Sequence, residues 1–127
     1  MRDHTKLRAF ELADEIAMLI YRMTRGFPKD EMYGLTSQMR RAAISVPSNI
    51  VEGCARGSPA DYLRFLEIAF GSLRELHYPC GLSERLGYLE QGFTALDLKI
   101  QEAEKVLGAL IRAIRLPAPR LRQVGKG

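Results

Sequence analysis

The side chains best suited to binding chemistry form a polar stretch with helical spacing in the second quarter of the chain. Its members are Gln38, Arg40, Arg41, Ser45, Asn49, Glu52 and Arg56. Three of them, together with Ser48, recur at every third or fourth position: Arg41, Ser45, Ser48 and Glu52. Such positions share one side of a helix. Guanidinium groups in this arrangement can bind phosphates or the carboxylates of a partner.

The same residues allow a second interpretation, in which they bond to one another within or between subunits. Glu52 and Arg56 have the i, i+4 spacing of an ion pair on a helix surface. Glu52 also stands among the arginines, where its carboxylate would repel a phosphate. The residue pattern leaves both interpretations open.

Residues for catalysis are sparse. The chain has two histidines, His4 and His77, and neither stands in a motif with a serine or cysteine nucleophile. There is no glycine-rich phosphate loop, dinucleotide-binding fingerprint, zinc-binding histidine pair, calcium loop or Glu-x-x-His pair. Cys54 and Cys80 fall within helical patterns, as reduced packing residues do. We therefore predict a protein that is not an enzyme and holds no cofactor or metal.

Length and composition predict one globular domain. The chain has 127 residues, of which 46% are hydrophobic and 27% charged. No apolar run is long enough to cross a membrane, and the N-terminus has no signal-peptide pattern, so we expect a cytoplasmic protein without a membrane partner.

The net charge of +4 is concentrated at the C-terminus. Residues 1–114 contain fifteen Lys and Arg against fifteen Asp and Glu, so this part is neutral. The excess lies in Arg115, Arg120, Arg122 and Lys126. A basic segment that follows a neutral domain is a candidate for binding nucleic acid.

Four heptad-like apolar patterns predict four helices, at about residues 6–26, 35–55, 59–86 and 89–115. Short links between them predict an all-α fold, an antiparallel up-and-down four-helix bundle over residues 1–116. Pro47 should kink the second helix, with a break as the alternative. Ser58 and Pro59 have the capping sequence of a helix start. Residues 117–127 are expected to form a basic, flexible tail.

The third helix has a second apolar pattern. Leu63 and Phe70 lie seven residues apart, on a different side from its main apolar stripe. One interpretation is an interface between subunits, which predicts an oligomer. The other is a wide core-facing stripe, and the sequence favours neither.

Two groups of short segments form a recognisable pattern over residues 7 to 115. The first group is Phe27-Pro28, Tyr33-Gly34-Leu35-Thr36-Ser37-Gln38, Arg40-Arg41-Ala42-Ala43, Ser45-Val46-Pro47, Asn49-Ile50, Glu52-Gly53, Arg56 and Ser58. The second group is Phe65-Leu66, Ala69, Gly71-Ser72-Leu73, Glu75-Leu76 and Leu86-Gly87-Tyr88. Together they resemble the 23S rRNA intervening-sequence protein family. The resemblance implies a four-helix bundle that assembles into a ring-shaped homopentamer. The chain departs from the family at residues 77–80, where Pro79 argues against a straight third helix.

The resemblance also implies a function. The family includes proteins encoded in insertions within bacterial ribosomal RNA genes. It is similar to the accessory protein of diversity-generating retroelements, which binds nucleic acid and a reverse transcriptase. Basic residues of those proteins correspond to Arg40, Arg41 and Arg56 in this chain.

The resulting hypothesis is a non-enzymatic homo-oligomer that binds RNA, other nucleic acid or a nucleic-acid-processing protein. The binding residues would be Arg40, Arg41, Arg56, Arg115, Arg120 and Arg122, and the subunit interface would include Leu63 and Phe70. The alternative is an oligomeric protein scaffold with no nucleic-acid role.

Overall fold

A computed structural model of the chain describes residues 2–116. Within this range the chain forms four α-helices and no strand: α1 (Arg8–Thr24), α2 (Leu35–Cys54), α3 (Pro59–Arg85) and α4 (Phe93–Arg115). Short 3-10 helices precede α1 at His4–Lys6 and connect α1 to α2 at Lys29–Glu31. None of the helices described has a stretch long and apolar enough to cross a membrane. The predicted tail, residues 117–127 with Arg120 and Arg122, lies outside the described residues.

The helices form an antiparallel bundle around one core. Each helix packs against the next one in the chain, and α4 returns to pack against α1. Short connections enforce this arrangement because a helix must turn back at once to reach its neighbour. The largest fully buried side chains are Leu12, Ile16, Ile20, Met39, Val46, Ile50, Leu66, Leu73, Leu76, Leu96, Ile100 and Leu107. They come from all four helices at the three- and four-residue spacing that predicted the bundle.

Two prolines lie inside helices. α2 continues through Pro47 to Cys54, so the alternative of a broken second helix was wrong. α3 likewise continues through Pro79, which is buried. Each proline removes one backbone N–H, but packing of the surrounding turns against the core keeps both helices continuous.

Local sequence defines both ends of α3. The Ser58 hydroxyl accepts a hydrogen bond from the Asp61 backbone N–H at 3.1 Å, and Pro59 occupies the first helical position. At the other end Gly87 has a φ of 83°, which lets the Tyr88 N–H donate to the Ser83 carbonyl at 2.9 Å. This is a Schellman-type helix end that glycine adopts without strain.

The fourth helix begins later than expected. Its predicted start was residue 89, but α4 begins at Phe93 because Gly92 has a φ of 82° and interrupts the helical path. Leu89 is nevertheless buried. The apolar spacing therefore identified a core residue correctly but assigned it to the wrong element.

Leu63 and Phe70 are partly buried and pack against the core. The Phe70 ring faces α4, with its Cε1 atom 3.6 Å from the position that a Cβ on Gly108 would take. Phe70 therefore contributes to the packing of α3 on α4, and part of the Leu63 and Phe70 side chains stays accessible.

Candidate nucleic-acid interface

The two arginines of α2, Arg40 and Arg41, lie in different environments. Arg40 is half-buried, and its Nε donates a hydrogen bond to the Thr24 hydroxyl at 2.9 Å. Its guanidinium also lies 4.7 Å from the centre of the Tyr21 ring. Both partners belong to α1, so Arg40 links α1 to α2 within the bundle.

Arg41 lies at the groove between α2 and α3. With Gln38 and Glu75 it lines a surface cavity of about 480 Å³. At the base of the groove, the hydroxyls of Ser45 and Ser72 are 2.7 Å apart. Within residues 2–116 Arg41 is exposed and forms no ion pair. Its charge is therefore available to a partner.

Arg56 follows the end of α2 and forms the predicted pair with Glu52, at 3.0 Å between nitrogen and oxygen. Both side chains are about half exposed, 44% for Arg56 and 57% for Glu52. The Arg56 guanidinium also lies 4.7 Å from the centre of the Phe65 ring. Exposed pairs of this kind stabilise a protein by about 0–1 kcal/mol, so another anion can replace the carboxylate.

Two further arginines join Arg56 at this end of the bundle. The guanidinium of Arg64 lies 4.5 Å from the centre of the same Phe65 ring. The guanidinium of Arg2 lies 3.9 Å from the centre of the Tyr62 ring and donates to the Arg56 carbonyl at 3.3 Å. We call these five residues the arginine–aromatic cluster. Cation–π contacts restrict the guanidinium groups without neutralising their charge.

Of the three arginines in this cluster, only Arg56 was predicted from the sequence. The adjacency of Arg64 and Phe65 was a weak signal that could have been noticed. Arg2 gave no signal, because its position depends on a long-range hydrogen bond from its backbone N–H to the Cys54 carbonyl at 3.1 Å. Sequence spacing cannot reveal a contact across more than fifty residues.

The cluster belongs to a larger basic end of the bundle, which we define as residues 2–11, 52–67 and 105–116. These segments meet because α1 and α3 begin there and α2 and α4 end there. Its eight basic residues are Arg2, Lys6, Arg8, Arg56, Arg64, Lys105, Arg112 and Arg115. Its five acidic residues are Asp3, Glu11, Glu52, Asp61 and Glu67, and Glu102, just outside these ranges, pairs with Arg8. The excess of positive charge gives this end an attraction for anions.

Several of these charges are paired at the surface. Arg115, a predicted binding residue, forms an ion pair with Glu67, and both side chains are exposed. Arg8 bonds to Glu11 and, at 2.8 Å, to Glu102. These pairs connect neighbouring helices or turns, and solvent access keeps them weak.

The other reactive groups at this end are neutral near pH 7. Burial raises the pKa of the Cys54 thiol and of the Tyr62 hydroxyl. Elsewhere in the bundle, burial raises the pKa of the Cys80 thiol to about 12. Thiols in this state are poor nucleophiles and behave as packing groups. In the part of the chain that the structure describes, no three His, Cys, Asp or Glu residues are arranged to hold a metal ion.

The fold and the basic end define a small antiparallel four-helix bundle with an arginine-rich surface at one end. Residues 5–109 match the family described as 23S rRNA-intervening sequence protein, and the chain belongs to that family. This finding confirms the resemblance seen in the sequence motifs.

A solved structure from Bacteroides thetaiotaomicron has a similar fold. It is described as a protein with unknown function from the S23 ribosomal protein family. The two chains are 23% identical, with a TM-score of 0.74 over 81% of this chain and 97% of that one. At this identity the likeness shows the fold alone. A comparison with curated proteins found no significant match.

Proposed function

We propose that this protein is a non-enzymatic, homo-oligomeric module that binds RNA or other nucleic acid through the phosphates. The observation that carries the proposal is the arginine–aromatic cluster. The guanidinium groups of Arg56 and Arg64 lie against the Phe65 ring, and that of Arg2 lies against the Tyr62 ring, at one end of the bundle. Phosphate binding of this kind has little sequence specificity and depends steeply on salt.

The contacts within the cluster support phosphate binding. The side chains of Arg56 and Arg64 are 44% and 59% exposed, so a phosphate can reach them. Their carboxylate partners are exposed too, and the Arg64–Asp61 distance of 4.0 Å leaves that pair loose. A phosphate can displace such partners at low cost because the pairs contribute little to stability.

Arg115, Arg120 and Arg122 remain proposed binding residues: Arg115 belongs to the basic end, and the two tail arginines follow it in the sequence. Arg41 lies outside the basic end, in the groove between α2 and α3, and would form a separate contact with the nucleic acid. Arg40 is the predicted binding residue with the weakest support, because its guanidinium is engaged with α1.

The first test changes Arg2, Arg56 and Arg64 together to serine and measures the binding of a fluorescent single-stranded RNA by anisotropy. We expect binding that weakens between 50 and 200 mM salt, and a log–log salt slope shallower by about 2–3 in the variant, since each lost phosphate contact removes roughly 0.7–0.9. The matched control changes Arg22, Arg25 and Arg85, which lie at the opposite end, to serine. Circular dichroism checks that both variants fold.

Two results would contradict the proposal. One is the absence of RNA and DNA binding by the unchanged protein at low salt. The other is an equal loss of affinity in both triple variants, which would reflect net charge and not a site. A variant with Arg115, Arg120 and Arg122 changed to serine tests the tail separately. If the protein is a protein scaffold, this change should not affect binding to its partner.

The second candidate function is a scaffold that binds a protein. Ile44 and Val51 favour it, because they lie seven residues apart on α2 with 45% and 37% of their surfaces exposed. Apolar side chains aligned on one helix face can contact a second copy of the chain or another protein. The oligomer is common to both candidates, and its ring shape and five subunits are inferred from the family resemblance.

A further inference from the structure

His77, to which no role could be assigned from the sequence, lies between two carboxylates of the neighbouring helix. Its Nε2 is 2.8 Å from the Asp97 Oδ1, and its Nδ1 is 3.2 Å from the Glu104 Oε2. Asp97 and Glu104 are seven residues apart, so one imidazole ring on α3 connects two positions that lie two turns apart on one face of α4. We call these three residues the histidine clasp.

The hydrogen-bonding capacity of the ring determines how the clasp works. A carboxylate only accepts hydrogen bonds, and a neutral imidazole has a single N–H to donate. Only the doubly protonated ring can therefore satisfy both carboxylates at once. The two acids also face opposite nitrogens of the ring, so a single metal ion could not bind all three groups.

Other polar groups surround the clasp without replacing the histidine. The Arg74 Nε lies 3.8 Å from the Glu104 Oε2, and the Gln101 amide donates to the Asp97 Oδ2 at 2.7 Å. The further residues beside the ring or Asp97 are Tyr78, Cys80 and Arg85. Within residues 2–116, no charged group of α1 or α2 lies within hydrogen-bonding or ion-pairing distance of His77.

We propose that His77 is a proton-dependent clasp, which joins α3 to α4 when its ring carries two protons and loosens their contact when it loses one. The geometry is suited to this role because all three side chains are partly buried, at 33% exposure for His77, 26% for Asp97 and 15% for Glu104. Limited solvent access strengthens a charged pair and makes its loss more costly. The proposal is independent of nucleic-acid binding.

The direction of the effect follows from the pKa of His77. Burial lowers this pKa, but the hydrogen bonds to Asp97 and Glu104 and their negative charges outweigh burial and raise it above 6.5. The folded state therefore binds the proton more tightly than the unfolded state. The stabilisation is complete below about pH 6.5, the value for an unfolded chain, and is lost as pH rises through the folded-state pKa.

The first experiment titrates the two histidines by NMR, with a His4→Gln variant to assign their signals. We expect the His77 midpoint above 6.5 and lower in both Asp97→Asn and Glu104→Gln. A midpoint at or below 6.5, or one that neither substitution moves, would overturn the proposal. The acid variants keep the side-chain shape, so the test remains valid if a histidine variant fails to fold.

The second experiment measures urea unfolding between pH 6 and 8.5. In the unchanged protein and in His4→Gln, the folding equilibrium constant should fall tenfold for each pKa unit that separates the folded from the unfolded histidine. In His77→Gln this dependence should be absent. Amide hydrogen exchange, corrected for its intrinsic pH dependence, should show faster opening of α4 at the higher pH. The same pH dependence in both histidine variants would refute a clasp at His77.

Discussion

Arg40 and Arg56 carry the same guanidinium group, yet their environments give them different roles. Arg40 is half-buried and donates its Nε–H to Thr24, whose hydroxyl in turn bonds to the Ile20 carbonyl at 2.6 Å. Arg56 lies at the surface with an exposed partner. A buried hydrogen bond from a charged group contributes more to stability than an exposed ion pair.

We expect Arg40→Met to reduce the free energy of unfolding by about 1–3 kcal/mol, because it removes a charge-assisted hydrogen bond between α1 and α2. RNA affinity should stay unchanged. Urea unfolding and anisotropy measure the two effects. Arg41→Met is the matched control, for which a change in stability within about 0.5 kcal/mol is expected at an exposed position. If the Arg40→Met protein instead loses RNA binding and keeps its normal stability, Arg40 is a binding residue, as the family resemblance implies.

At the level of the elements, α2 and α3 approach closely at Gly53, near the turn that joins them. Gly53 is buried, and a Cβ built on it would lie 3.0 Å from the Phe65 Cβ and 3.3 Å from the Tyr62 carbonyl oxygen. Neither atom is the end of a flexible side chain. The backbone contact between the two helices therefore requires glycine at this position.

Gly53→Ala should lower the free energy of unfolding by about 1–3 kcal/mol, the usual cost of forcing an extra methyl group into a packed site. The control is Gly71→Ala in α3, where no heavy atom lies within 4 Å of the added methyl group. Alanine there should raise stability by about 0.5–1 kcal/mol through helix propensity. Chemical denaturation of both variants measures these two changes in the free energy of unfolding. A Gly53→Ala protein as stable as the original would mean that the helices can separate without cost.

For the whole molecule, the bundle separates charges that are balanced along the sequence. The basic end has eight basic and five acidic residues, whereas residues 12–51 and 68–104 have eight basic and ten acidic residues. The domain is therefore close to neutral but has a positive end and a slightly negative remainder. Such a charge distribution orients the approach of a polyanion even though the domain's net charge is small.

The proposed oligomer is tested by light scattering. We expect a mass that is a multiple of the 14.3 kDa chain, with five subunits as the specific expectation from the resemblance. Changing Ile44 and Val51 together to serine should lower the mass without unfolding the bundle, because both side chains are exposed on α2. Changes at Leu63 and Phe70 also disturb the core, so unfolding must be monitored with them. A monomer at micromolar concentration would contradict the oligomer.

The sequence alone determined the helices and most of their ends. Apolar spacing predicted four helices because a bundle core requires three- and four-residue steps, and Ser58, Pro59 and Gly87 marked the ends of α3 through local backbone chemistry. These signals need no information about distant parts of the chain. The family was also recognisable from motifs alone.

Helix packing determines which side chains meet. The rotation of each helix about its axis places His77 between two acids of α4, Arg40 against α1, and Phe70 over Gly108. Periodicity defines one face of a helix but not the residue that a neighbouring helix presents to it. The packing of complete helices sets those pairs, because the rotation and axial offset that bury the most apolar surface are properties of the assembled core.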